Sequence, residues 1–161
     1  MRFSIVELVL FAAGAAVVLL LVLQRTSDNS TTHSPVVRAS WTRTPGVLNP
    51  AVTQATIGST ICVRGWTSTV RPPVSYTNHL KEVQLGQYGL HGALSAFQED
   101  HLVSLELGGN PADARNLWPE PYPRAAEVDR IENQLNRAVC TGALTLAEAQ
   151  RKESAVKHKD G

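Results

Sequence analysis

Asp100 and His101 stand side by side, a double glycine follows at Gly108-Gly109, and Asn116-Leu117-Trp118-Pro119-Glu120 comes seven residues later. Carboxylates recur downstream at Glu127, Asp129 and Glu132. These residue types suit hydrolysis of a phosphodiester. Such a reaction needs a base to take a proton from water and a cation to steady the leaving oxygen. Neutral imidazole is the natural base near pH 7, and oxygen donors are the natural partners of Mg²⁺ or Mn²⁺. Adjacent side chains of a strand point to opposite faces. Asp100 and His101 can therefore share one site only around a kink or at a strand end.

The elements that must hold these residues follow from the pattern. From His101 to Leu107, apolar and polar residues alternate with period two, which predicts a strand. Gly108-Gly109 permits a tight reversal, and Asn116-Leu117-Trp118 reads as the returning strand, stopped by Pro119, Pro121 and Pro123. Ala125, Val128, Ile131, Leu135 and Val139 recur at helical steps, so 124–140 reads as a helix closed by Gly142. Asp129 is the preferred metal ligand on it. Glu127, Asp129 and Glu132 are all equally readable as acids favoured in a helix's first turns.

Asp100-His101, the Gly-Gly loop and Asn116-Leu117 resemble the first two thirds of the HNH, or ββα-metal, nuclease motif, over about residues 99–132. The resemblance implies His101 as general base, Asp100 as a ligand of one divalent cation, and Asn116 as the residue that holds the loop and orients His101. The motif departs at its third element. The family expects a His or Asn nine to eleven residues past the Asn, where this chain has Ala125, Ala126 and Glu127, and no His follows until His158. Roughly residues 45–155 also resemble a group of small bacterial exported proteins. The shared wording is Asn49-Pro50-Ala51-Val52-Thr53-Gln54, Thr60-Ile61-Cys62, Gly65-Trp66-Thr67, Val70-Arg71-Pro72-Pro73, Asn116-Leu117-Trp118-Pro119-Glu120 and Val139-Cys140.

Composition bounds the rest. The chain has 161 residues and a formal net charge of +1. From Trp41 onward twelve Lys or Arg face twelve Asp or Glu. Tight non-specific binding of duplex DNA normally needs a strongly basic surface, so this balance argues against it, though not against a locally basic groove. Phe3 to Leu23 contains one charge, Glu7, and at helical rise spans about 31 Å. No small-residue cleavage step follows it, so 1–25 is expected to be an uncleaved transmembrane anchor. Residues 26–43, rich in Ser and Thr, read as a flexible linker, and 44–157 as an HNH-like globular domain.

Within that domain, Thr53 to Val70 reads as extended or stranded, and Asn78–Tyr88 as a short helix capped by Thr77. Thr145 to Glu148 matches a capping box that opens a last helix to about Val156, with 157–161 fraying. The two cysteines, Cys62 and Cys140, lack metal-ligand spacing and are expected to form a disulfide, which places the domain outside the cytoplasm. Trp66 and Arg71 are candidates to touch nucleic acid, with the core the commoner place for such a Trp. Arg115 or Arg124 could steer a phosphate.

The fold expected is thus α+β: a transmembrane helix, then an HNH-like ββα core with flanking helices. The function expected is a metal-dependent endonuclease at the cell membrane, single-pass, with its domain extracytoplasmic. Its partners would be the membrane and nucleic acid, with a divalent cation and no small-molecule cofactor. The rival reading is a catalytically inactive, envelope-anchored binding domain that keeps the ββα fold.

Overall fold

The computed structural model describes residues 36–160, which form an α+β domain of four helices and a two-stranded sheet. The helices are α1 (Trp66–Val70), α2 (Val74–Tyr88), α3 (Arg124–Cys140) and α4 (Leu146–Lys159). Strands β1 (Phe97–His101) and β2 (Leu117–Pro121) pair antiparallel, with Asp100 opposite Trp118 and His101 opposite Leu117. The expected membrane anchor is not borne out. Among the described residues no helix is long and apolar enough to cross a membrane. The 1–25 segment on which that expectation rested lies outside the described residues.

The alternation after His101 does not extend the strand. Leu102 and Val103 turn inward, and Leu105–Leu107 form a 3₁₀ turn. The Ser104 amide donates to Glu153 on α4 and the Gly109 amide returns to the Ser104 carbonyl, so the backbone finds partners away from a ladder. β2 instead runs through Pro119 and Pro121. Two-stranded pairing leaves an outer edge where a missing N–H costs nothing.

The stretch 53–70, rich in β-branched residues, is not stranded either. It is a series of turns, with a 3₁₀ turn at Ile57–Ser59 and then α1. Threonine hydroxyls close these turns: Thr56 Oγ1 donates to the Ala51 carbonyl and accepts from the Thr53 amide. Trp66 is half-buried against the main core. That core gathers Val52, Ile61, Val103, Leu107, Val139, Leu146 and Ala149, so the loop beneath the sheet and both late helices share one apolar centre.

Helix α2 begins a turn earlier than expected, at Val74, because Pro73 fits at a helix start, where a missing amide is harmless. The late helices hold as expected. Thr145 and Glu148 form a complete capping box, and Cys62 is bonded to Cys140 at the end of α3.

The last residues do not fray. Helix α4 runs to Lys159, and Lys157 is fully buried. The chain before Trp41 also docks here, since the Ala39 amide donates to the Lys157 carbonyl. Trp41 lies flat on His158, ring centroids 3.5 Å apart.

Candidate metal centre

β1 ends at His101, and that end lets two adjacent side chains serve one cleft. The cleft, of about 290 Å³, is lined by Asp100, His101, Asp129 and Glu132, with Gln98 and Arg71 beside them. Asp100, Asp129 and Glu132 each offer a carboxylate oxygen, and these oxygens lie within 4.8 Å of one another. Asp129 and Glu132 are three residues apart on α3, hence on one face of it. Gln98 spans two of the acids, with Nε2 3.3 Å from Asp100 Oδ1 and 3.5 Å from Asp129 Oδ1.

His101 is held by its other ring nitrogen. Nε2 lies 3.0 Å from the Pro111 carbonyl oxygen, which can only accept. The proton therefore sits on Nε2, and the Nδ1 lone pair is left as the basic one. Burial pushes the His101 imidazole below its usual range, and the charges of Lys157 and Arg71 push the same way, against Asp100 and the Pro111 carbonyl. The ring is thus neutral at pH 7, as a base must be.

Asn116 is fully buried, and its side chain makes three contacts of 3.0 Å. Oδ1 accepts from the Val103 amide, and Nδ2 donates to the carbonyls of Val103 and Asn110. It thereby clamps the backbone two residues past His101 to the residue before Pro111. The glycine pair makes that approach possible. A Cβ on Gly109 would sit 1.7 Å from the Val103 oxygen, and Gly108 has φ +78°.

The carboxylates are not alone. Lys157 Nζ is 2.6 Å from Asp100 Oδ2, 2.6 Å from Glu132 Oε1 and 3.4 Å from Glu153 Oε1, and it also donates to the His101 carbonyl. Burial raises Asp100, but the Lys157 ammonium outweighs it and holds that carboxyl below the ordinary range. Burial wins at Glu132 and Glu153, which are pushed up despite Lys157. Glu120, on β2, is fully buried with no hydrogen-bond donor to either oxygen, and burial, with Asp100 nearby, lifts it to about 8.

Of the residues singled out by sequence, Asp100, His101 and Asp129 therefore converge, with Asn116 behind them. Glu127 is exposed and paired with Arg124 at 3.1 Å, outside the cleft. Arg115 is held by Asp113 at 2.7 Å, so neither arginine proposed to steer a phosphate lines the cleft. Arg71 does, and it makes no ion pair among the described residues. Glu132, named with Glu127 and Asp129 as a possible ligand but not preferred, converges as well, whereas Gln98 and Lys157 were not singled out. Glu132's place one turn past Asp129 was a readable signal, whereas nothing in the sequence marks a terminal lysine as buried. His79 and His91 are exposed and do not line the cleft. No protein-family model, no curated protein and no solved structure matches this chain.

Proposed function

We propose that this domain is a divalent-cation-dependent phosphodiesterase of HNH type acting on nucleic acid. The observation that carries it is the convergence of three carboxylate oxygens beside a neutral, carbonyl-anchored imidazole. The all-oxygen donor set fits Mg²⁺ or Mn²⁺ better than softer metals. The place already draws positive charge, since the Lys157 ammonium is bonded to two of the same acids.

In this reading Asp100, Asp129 and Glu132 hold the ion. Bound there, it supplies positive charge to the phosphate and the leaving oxygen. His101 Nδ1 takes a proton from water as its oxygen bonds to phosphorus. The bond from phosphorus to the leaving oxygen breaks, and that oxygen is protonated from solvent. Arg71, which lines the cleft with no ion pair among the described residues, binds a non-bridging phosphate oxygen. Asn116 keeps the two backbone segments that fix His101 in register.

The test is nicking of supercoiled plasmid by the full-length chain with Mg²⁺, Mn²⁺ or EDTA, alongside His101→Ala. Cleavage that needs both metal and His101 supports the proposal. Metal-independent cleavage, or full activity in His101→Ala, refutes it. One observation favours the rival reading of a non-catalytic binding domain: Lys157 already balances part of the acidic charge. Mn²⁺ uptake without any cleavage would decide for that reading.

A further inference from the structure

Lys157 approaches the acids from the side away from the cleft. Neither Lys157 nor Glu153 is among the cleft-lining residues, while Asp100 and Glu132 both are. Each of those two spends one oxygen on the ammonium, Asp100 Oδ2 and Glu132 Oε1. Asp100 Oδ1 remains, in long contact with Gln98 Nε2, and the ammonium's hydrogen bond to Glu132 leaves Oε2 aside. Glu153 backs the arrangement from α4, with its Oε1 also accepting from the Ser104 amide at 2.9 Å.

This is an expensive way to gain stability alone. Buried ion pairs roughly break even against well-packed apolar side chains, so a wholly buried lysine ringed by three acids needs another reason to be there. Asp100, Glu132 and Glu153 crowded together would repel one another and turn away unless a cation held them. Carboxylates that ligate a metal are commonly oriented by such outer contacts.

Resting on the metal-centre reading above, we propose that Lys157 is the resident counter-ion of this site. It positions Asp100 and Glu132 for ligation from behind, and by drawing on their charge it sets how tightly a divalent ion is held. The ammonium and the divalent ion share two carboxylates, so more charge given to one leaves less for the other. The site stays assembled without metal, at the cost of affinity. Lys157 is a positioning residue here, and its contact with the His101 carbonyl ties the same control to the base.

The test uses Mn²⁺ as probe on the full-length chain, with its affinity read by calorimetry and its effect on Tm read against EDTA. Lys157→Met should melt lower than wild type in EDTA, show a larger Mn²⁺-induced rise in Tm, and bind Mn²⁺ at least about fivefold more tightly. Glu153→Gln keeps an acceptor for Ser104 but removes one claim on the ammonium. Lys157 then leans harder on Asp100 and Glu132, so Mn²⁺ should bind more weakly. If Lys157→Met does not fold even with Mn²⁺, Glu153→Gln decides alone, and unchanged or tighter binding overturns the proposal. Wild-type Mn²⁺ binding that Lys157→Met leaves unchanged or weakens also overturns it, and Lys157 is then only a structural ion pair. If neither wild type nor variant binds Mn²⁺, the metal centre itself is refuted, and this inference falls with it.

Discussion

Replacing Asn116 by Asp isolates what one amide contributes, because the two side chains have nearly the same shape and no cavity opens. The incoming carboxyl keeps the acceptor that meets the Val103 amide. It loses both donated bonds, to the Val103 and Asn110 carbonyls, each 3.0 Å in the wild type. One buried carbonyl and one part-buried carbonyl are left without that donor, and an oxygen now faces them. At about 1–3 kcal/mol for each unsatisfied buried group, the loss is roughly 3–5 kcal/mol. Against the 5–15 kcal/mol of an ordinary domain, roughly speaking, that is a large fraction. With a urea m-value of about 1–3 kcal/mol per M, the midpoint should fall by roughly 2 M.

The sign with pH is also fixed. The new carboxyl is buried against acceptors, so its folded-state pKa lies above the unfolded one. Its neutral form can donate to one carbonyl. The deficit is therefore smallest below the unfolded pKa and grows as the pH rises through the folded value. Urea titrations of Asn116→Asp and wild type at pH 5 and pH 8, followed by fluorescence of the fully buried Trp118, measure both effects. A midpoint shift of under about 0.5 M at pH 8, a quarter of that expected, would refute the reasoning. So would a deficit that increases on acidification.

The remaining predictions concern other supports of the same site. Cys62→Ser or Cys140→Ser opens a loop closed across 78 residues and should cost roughly 4–5 kcal/mol on the chain-entropy account, read as a lower urea midpoint than wild type. Gly109→Ala forces a methyl to within 1.7 Å of the Val103 oxygen, so the variant should lose its cooperative unfolding transition or melt far below wild type by calorimetry. Glu99 has both oxygens buried without a hydrogen bond, and burial lifts it to about 8, above its unfolded 4.5. The stability tied to its neutral form is present below pH 4.5 and is lost as pH rises through 8. In EDTA, Glu99→Gln should therefore gain Tm relative to wild type at pH 9 and gain little at pH 4, and equal gains at both would count against the burial argument.

How far the sequence could be read depended on whether the signal was local. The capping box at Thr145 and Glu148 needs four residues, and the apolar steps of α3 need only the helix itself, so both were visible. The Gly108-Gly109 reversal was visible for the same reason. The alternation from His101 to Leu107 misled because period two records which side chains point inward, not what the amides bond to. Here the amide of Ser104 is taken by Glu153, forty-nine residues away. The threonine-rich stretch 53–70 misled through propensity, since its hydroxyls capped turns instead of lining a strand. Helix α2 buries Lys81 and Gln84 beside Leu85, so its inward face carries no apolar stripe to read.

The third element that the resemblance to the nuclease motif leads one to expect turns on the same distinction between spacing and distance. A metal needs oxygens close together, and a helix can supply them from any turn that faces the site. At the positions where the motif expects its ligand, Ala125 is fully buried in packing and Glu127 points to solvent with Arg124. Those positions cannot reach the cleft. One turn further on, Asp129 and Glu132 do reach it, meeting Asp100 within 4.8 Å. On the proposed reading, the departure from the motif is a shift along α3, and it replaces the expected His or Asn by carboxylates. An all-carboxylate set carries more negative charge than a set with a neutral imidazole or amide. That surplus is what gives the buried ammonium of Lys157, on α4 and beyond the reach of the motif, something to balance.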